Sequence, residues 1–106
     1  MSDIIARLEA LQAKDPENAL LRFSLGNAYL GAARHAEAAV QFAEAVRLDP
    51  NYAAAWKLLG KALTATGDPT AAADAYRKGI TVAEAQGHIQ AVKEMKVFLK
   101  RLGETR

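Results

Sequence analysis

The chain has 106 residues, 51% of them hydrophobic and 25% charged, with no cysteine and a formal net charge of +2; this suffices for one compact domain with its own core and not for two. The lack of cysteine excludes disulfides, thiolate nucleophiles and the usual zinc and iron–sulfur ligand sets, and two histidines 53 positions apart, His35 and His88, leave little for a metal site or a His-dependent triad. Twenty-four alanines against seven glycines and three prolines favour helices, because alanine carries the lowest helical cost and proline the highest.

Six helices are predicted in chain order. The first spans 3–14 and sets Ile4, Leu8 and Leu11 on one face. Asp15, Asp49 and Asp68 each precede a proline, and Asp as N-cap before Pro at the first helical position is a helix start. The second helix is therefore expected from Pro16 to Leu30, ending near Gly31, and the third from His35 to Leu48. The fourth is expected from Pro50 to Ala65, with Gly67 as a left-handed closing residue. The fifth begins at Pro69 and reaches Gln86, where Gly87 stops it. The sixth covers His88–Leu102, with Ile89, Val92, Met95, Leu99 and Leu102 in one stripe. Six short helices with tight connections make an all-α, antiparallel helix-turn-helix solenoid.

Compared with itself at an offset of 34, the chain agrees in phase. Asp15-Pro16 matches Asp49-Pro50, Leu25-Gly26 matches Leu59-Gly60, and Ala38-Ala39 matches Ala72-Ala73. Phe42 pairs with Tyr76, Ala45 with Gly79 and Val46 with Ile80. A glycine inside a helix costs roughly 1 kcal/mol relative to alanine. Its recurrence at Gly26 and Gly60 implies a close approach by a neighbouring helix, with Ala38, Ala72, Ala45 and Gly79 as the small opposite surface.

These residues resemble the tetratricopeptide repeat. In that family's 34-residue pattern Trp, Leu-Gly and Tyr mark helix A, while Ala, Phe, Ala and a closing Pro mark helix B. The second repeat carries Trp56, Leu59-Gly60, Leu63, Ala72, Tyr76 and Gly79, with Glu84 in the proline place. The first carries Leu25-Gly26, Tyr29, Ala38, Phe42, Ala45 and Pro50, with Arg22 in the tryptophan place. The resemblance implies one domain, a right-handed superhelix with repeats at 16–48 and 50–86. Residues 3–14 are then an opening half-repeat, with Ile4, Leu8, Leu11 and Pro16 in the Ala, Phe, Ala and Pro places. Residues 88–102 are read as a capping helix, or as a degenerate third helix A in slipped register, since Glu94 falls in the glycine place when the 34-residue phase is kept.

The resemblance also implies a function: members bind peptides or proteins along the concave surface of the A helices. The groove positions here are Leu20, Phe23, Asn27, Leu30 and Gly31, then Ala54, Lys57, Lys61, Thr64 and Ala65. Phe23 and Asn27 share a face, as do Lys57 and Lys61, being four apart. Phe23, Asn27, Leu30, Lys57, Lys61 and Thr64 are the candidate partner-binding residues, both lysines being expected to be exposed. An amide beside lysines suits an extended segment with an acidic group or a C-terminal carboxylate. The family's carboxylate clamp is not reproduced: Asn27 fits, but Phe23, Leu58, His88 and Val92 stand in the other places, so chaperone-tail binding is not expected.

No residues support an enzyme, and no cofactor is expected. Gly26 and Gly31 belong to a helix rather than to a phosphate loop after a strand. Asp74 and Lys78 read as an i, i+4 pair, and Trp56 as a residue lodged between helices. The charge is uneven: residues 1–85 sum to −1 and residues 86–106 to +3. Two alternatives therefore stay open. One is a self-assembling module, a homodimer through its terminal helices, with Ile5 and Phe98 as surplus apolar residues. The other is an RNA-associated module using the basic last helix, which carries no nucleic-acid motif. The start Met1-Ser2-Asp3 has no basic leader, and no run approaches ~18 apolar residues, so a membrane partner is not expected and the cytoplasm is the expected compartment.

Overall fold

A computed structural model describes residues 2–104. Its helices are α1 (Ser2–Lys14), α2 (Ala19–Gly31), α3 (His35–Leu48), α4 (Ala53–Ala65), α5 (Pro69–Gln86) and α6 (Ile89–Glu104), with no strand among the described residues. None of these helices is long and apolar enough to cross a membrane. Each helix packs antiparallel on the next. The molecule is 19 Å through its thinnest dimension, about two helix diameters of ~10 Å. In one layer α2 touches α4 and α4 touches α6; in the other, α1, α3 and α5 make no contact with one another among the described residues. Helices that meet in one layer and splay in the other curve the solenoid, with α2, α4 and α6 on the concave side.

The repeating glycines make this packing possible. A Cβ built on Gly60 would lie 2.5 Å from Cε1 of Tyr76, and one on Gly26 would lie 2.8 Å from Cε1 of Phe42. The close approach is thus made to an aromatic ring on the facing helix, not to the small alanines. Ala38, Ala45 and Ala72 are fully buried beside these rings, and Phe42, Tyr76, Leu25 and Met95 are the largest of the fully buried side chains. Gly79 plays the same part between repeats, where an added Cβ would meet Sδ of Met95 at 2.5 Å and Cβ of Trp56 at 2.9 Å. Arg22 stands in the tryptophan place yet keeps its polar contact: Arg22 Nε donates to the Pro16 carbonyl at 3.1 Å, as Trp56 Nε1 donates to the Pro50 carbonyl at 2.8 Å.

The Asp-Pro expectation is corrected at two of its three sites. Asp68 does cap α5, accepting from Ala71 N–H at 3.2 Å with Pro69 in the first turn. Asp15-Pro16 and Asp49-Pro50 instead form turns, and α2 and α4 begin three residues later than expected, at Ala19 and Ala53. Asn18 caps α2 by accepting from Leu21 N–H at 3.0 Å, and Asp49 accepts from Asn51 N–H at 3.1 Å in a local turn. At the other ends one bond recurs: Arg34 N–H to Tyr29 O, Asp68 N–H to Leu63 O and His88 N–H to Ala83 O, at 2.9–3.0 Å. This six-to-one bond needs a left-handed residue before its donor. Gly67 and Gly87 supply it at φ of 81° and 73°, and Ala33 supplies it at 60°.

Three further expectations change. In α1 the buried face is Ile5 with half-buried Leu8, while Ile4 is 58% and Leu11 51% exposed. In α6 Ile89 is exposed and Phe98 joins Val92, Met95, Leu99 and Leu102 against the core. Asp74 pairs with Arg77 at 3.1 Å, not with Lys78, whose Nζ sits 5.4 Å from the Trp56 ring.

Candidate functional site

The concave face is built from α2, α4 and α6. Met95 of α6 is fully buried against Gly79, as Leu25 and Leu59 are buried in α2 and α4. An offset of 36 from α4 therefore aligns α6, with Val92, Met95 and Leu99 in the places of Trp56, Leu59 and Leu63. The two extra positions come from an 18-residue α5 against a 14-residue α3, partly offset by a shorter connection. α6 packs on α5 and touches α4 as α4 packs on α3 and touches α2, and at this offset Lys93, Val97, Lys100 and Arg101 correspond to Lys57, Lys61, Thr64 and Ala65. These were missed at the 34-residue phase; the signal that locates them is the apolar triplet Val92, Met95, Leu99.

On α2, Phe23 is half-buried, its ring stacked on Tyr52 with centroids 4.8 Å apart and tilted against Phe42 at 5.7 Å. Leu30 is half-buried against the core, Asn27 is exposed, and Leu20 is 64% exposed. Burial, reinforced by Asp49, pushes the Tyr52 phenol up from its ordinary value. This end of the face is an apolar shelf with one amide.

On α4 the two lysines differ, which corrects the expectation that both are exposed. Lys57 is half-buried and lies 3.1 Å from the Glu94 carboxylate of α6. Lys61 is exposed, its Nζ 5.3 Å from the centre of the Phe98 ring. The exposed Thr64 turns its hydroxyl back onto its own helix, donating to Gly60 O at 2.8 Å. Lys57 and Lys61 share a helix face, but only Lys61 remains without an acidic partner among the described residues. His35 opens α3 half-buried and His88 is exposed before α6. Among the described residues no three of His, Asp or Glu gather as a metal ligand set.

The geometry defines a two-layered helical repeat array with a curved, chemically divided inner face. The family profile described as tetratricopeptide repeat matches residues 5–53 and 26–88. The chain is 47% identical over 103 residues to the TPR repeat-containing protein PA0015 of Pseudomonas aeruginosa, covering 97% of this chain and 98% of that protein. It is similar in structure to protein BPP2914 from Bordetella parapertussis, with a TM-score of 0.80 at 41% identity over 96% of this chain and 89% of that one. The TPR2B domain of yeast Sti1, in a complex with pHsp70, superimposes with a TM-score of 0.87 at 17% identity, over 96% of this chain and 82% of that one. The chain belongs to the tetratricopeptide repeat family.

Proposed function

We propose that this chain is a protein-interaction module, not an enzyme, that acts in the cytoplasm and seats a partner peptide or protein segment along the concave face of α2, α4 and α6. The observation that carries this reading is the division of that face. α2 offers Leu20 and Phe23, whereas α4 and α6 offer Lys61, Lys93, Lys100 and Arg101, none of them ion-paired with a described residue. Apolar anchors beside unpaired cations fit an extended segment carrying apolar residues and an acidic group or C-terminal carboxylate. The pHsp70 complex of the Sti1 domain supports it as a precedent for this fold. Asn27 remains available to hold peptide backbone.

The test starts from a peptide selected by display against the immobilised chain. Titrated into the 15N-labelled protein, it should shift amides of α2, α4 and α6 and leave the outer faces of α3 and α5 silent. Shifts on α3 and α5 would overturn the concave-face assignment.

A second reading has its own observation. Ile4, Ile5, Ala6, Ala28 and Ala32 border an apolar hollow of about 630 Å³ at the α1 end, and Ile4 is exposed beside it. Two copies meeting there would give a homodimer. Sedimentation at rising concentration separates the readings, and a monomer throughout removes the second.

A further inference from the structure

Lys61, Thr64, Tyr76, Phe98, Arg101 and Leu102 line a hollow of about 250 Å³ between α4 and α6. Its floor is aromatic: Tyr76 is buried, and the Phe98 ring lies tilted against it with centroids 5.6 Å apart. Two cations lean on that floor, with Lys61 Nζ 5.3 Å and Arg101 Cζ 5.9 Å from the Phe98 centroid. Neither has an ion-pair partner among the described residues. The acid one turn earlier on α6, Glu94, already holds Lys57.

An aromatic face attracts a cation through its quadrupole but leaves the charge uncompensated. Lys61 and Arg101, both drawn to one ring, therefore bring two like charges to the lining of one apolar hollow. An anion in that hollow offsets the uncompensated charge and can accept hydrogen bonds from an ammonium and a planar guanidinium. The apolar floor and the shelf at Leu20 and Phe23 distinguish this from a surface for a uniformly charged polymer. We infer that this hollow receives the carboxylate of an acidic residue in a bound peptide, with an adjoining apolar side chain on the Phe98 ring. The inference rests on the concave-face reading and deepens it, because it narrows the acid-binding role from the Lys57–Lys61 strip to Lys61 with Arg101.

The probe is the capped hexapeptide acetyl-Leu-Glu-Glu-Leu-Glu-Glu-amide, with its all-glutamine counterpart, titrated into the full chain at low salt. The acidic peptide should shift the signals of Lys61, Thr64, Phe98 and Arg101. Lys61→Gln with Arg101→Gln should weaken it ~10-fold, less at high salt, while Lys57→Gln changes it less than about two-fold. Binding of the glutamine peptide equal to that of the acidic one overturns the acid seat, and this comparison uses the unaltered protein. No binding of the acidic peptide overturns it as well, as does tighter binding of a uridine oligonucleotide at the same hollow. Shifts on α2 and α4 with the double variant unimpaired sink the acid seat and leave the concave-face reading standing. Shifts confined to α3 and α5 remove both.

Discussion

Lys57 and Glu94 join the second and third concave helices through a single ion pair of 3.1 Å, with side chains 27% and 41% exposed. A pair this accessible contributes on the order of 0.2–1 kcal/mol. Lys57→Glu replaces attraction by repulsion and should lower stability by about 1 kcal/mol, whereas Lys61→Glu should leave it within about 0.5 kcal/mol. Adding Glu94→Lys to Lys57→Glu should restore most of the loss. Urea unfolding of the three variants measures this, and equal midpoints would show that the pair contributes nothing.

Gly60 leaves no room for a side chain below Tyr76. Gly60→Leu should cost more than about 2 kcal/mol, since the ring is itself buried and cannot swing aside. Tyr76→Leu costs stability alone through lost ring contacts, yet should make Gly60→Ala cheaper in combination than by itself. Thermal midpoints across this double-mutant cycle test the contact directly. Strict additivity would place the strain elsewhere.

Ala33 adopts a left-handed conformation where the two equivalent helix ends use glycine. A Cβ is penalised there, so Ala33→Gly should stabilise the protein by about 0.5–1 kcal/mol despite the added freedom of the unfolded chain. Gly67→Ala should do the reverse. A lower melting temperature for Ala33→Gly would contradict the account of the α2 end.

Tyr29 donates its hydroxyl to the Glu9 carboxylate of α1. Burial first, and then this carboxylate, push the phenol up to about 12 from 10.0. A folded state that holds the proton more tightly than the unfolded one is fully stabilised below the unfolded value and loses that stability as pH rises through the folded value. The melting temperature should therefore fall between about pH 10 and pH 12. Tyr29→Phe should flatten part of that fall, the raised Tyr52 and Tyr76 accounting for what remains. An unchanged slope would dismiss the Tyr29 contribution.

The repeat architecture was legible because its packing rule is written in residue size: Gly26 with Phe42 and Gly60 with Tyr76 recur in one phase. The helix starts were less so, for a local reason. Proline has the same φ at the first position of a helix and at the second position of a turn, so Asp15-Pro16 and Asp49-Pro50 read identically to Asp68-Pro69. The phase of α1 was ambiguous because Ile4 and Ile5 are adjacent and either can face inward. Of the six candidate groove residues, Lys57 illustrates the remaining gap. Its partner Glu94 lies 37 positions away on a helix whose register depends on the length of α5, which a fixed period does not carry.

Among the described residues α1 packs on α2 and on no other helix. In an array held by nearest-neighbour interfaces, an end helix can detach without dismantling the rest. Amide hydrogens of α1 should exchange with solvent through a local opening, well before those of α3 and α4, which have neighbours on both sides. Each such opening would bare Tyr29 while the inner face of α4 and α6 keeps its shape. The molecule can fray at one end and still present the other.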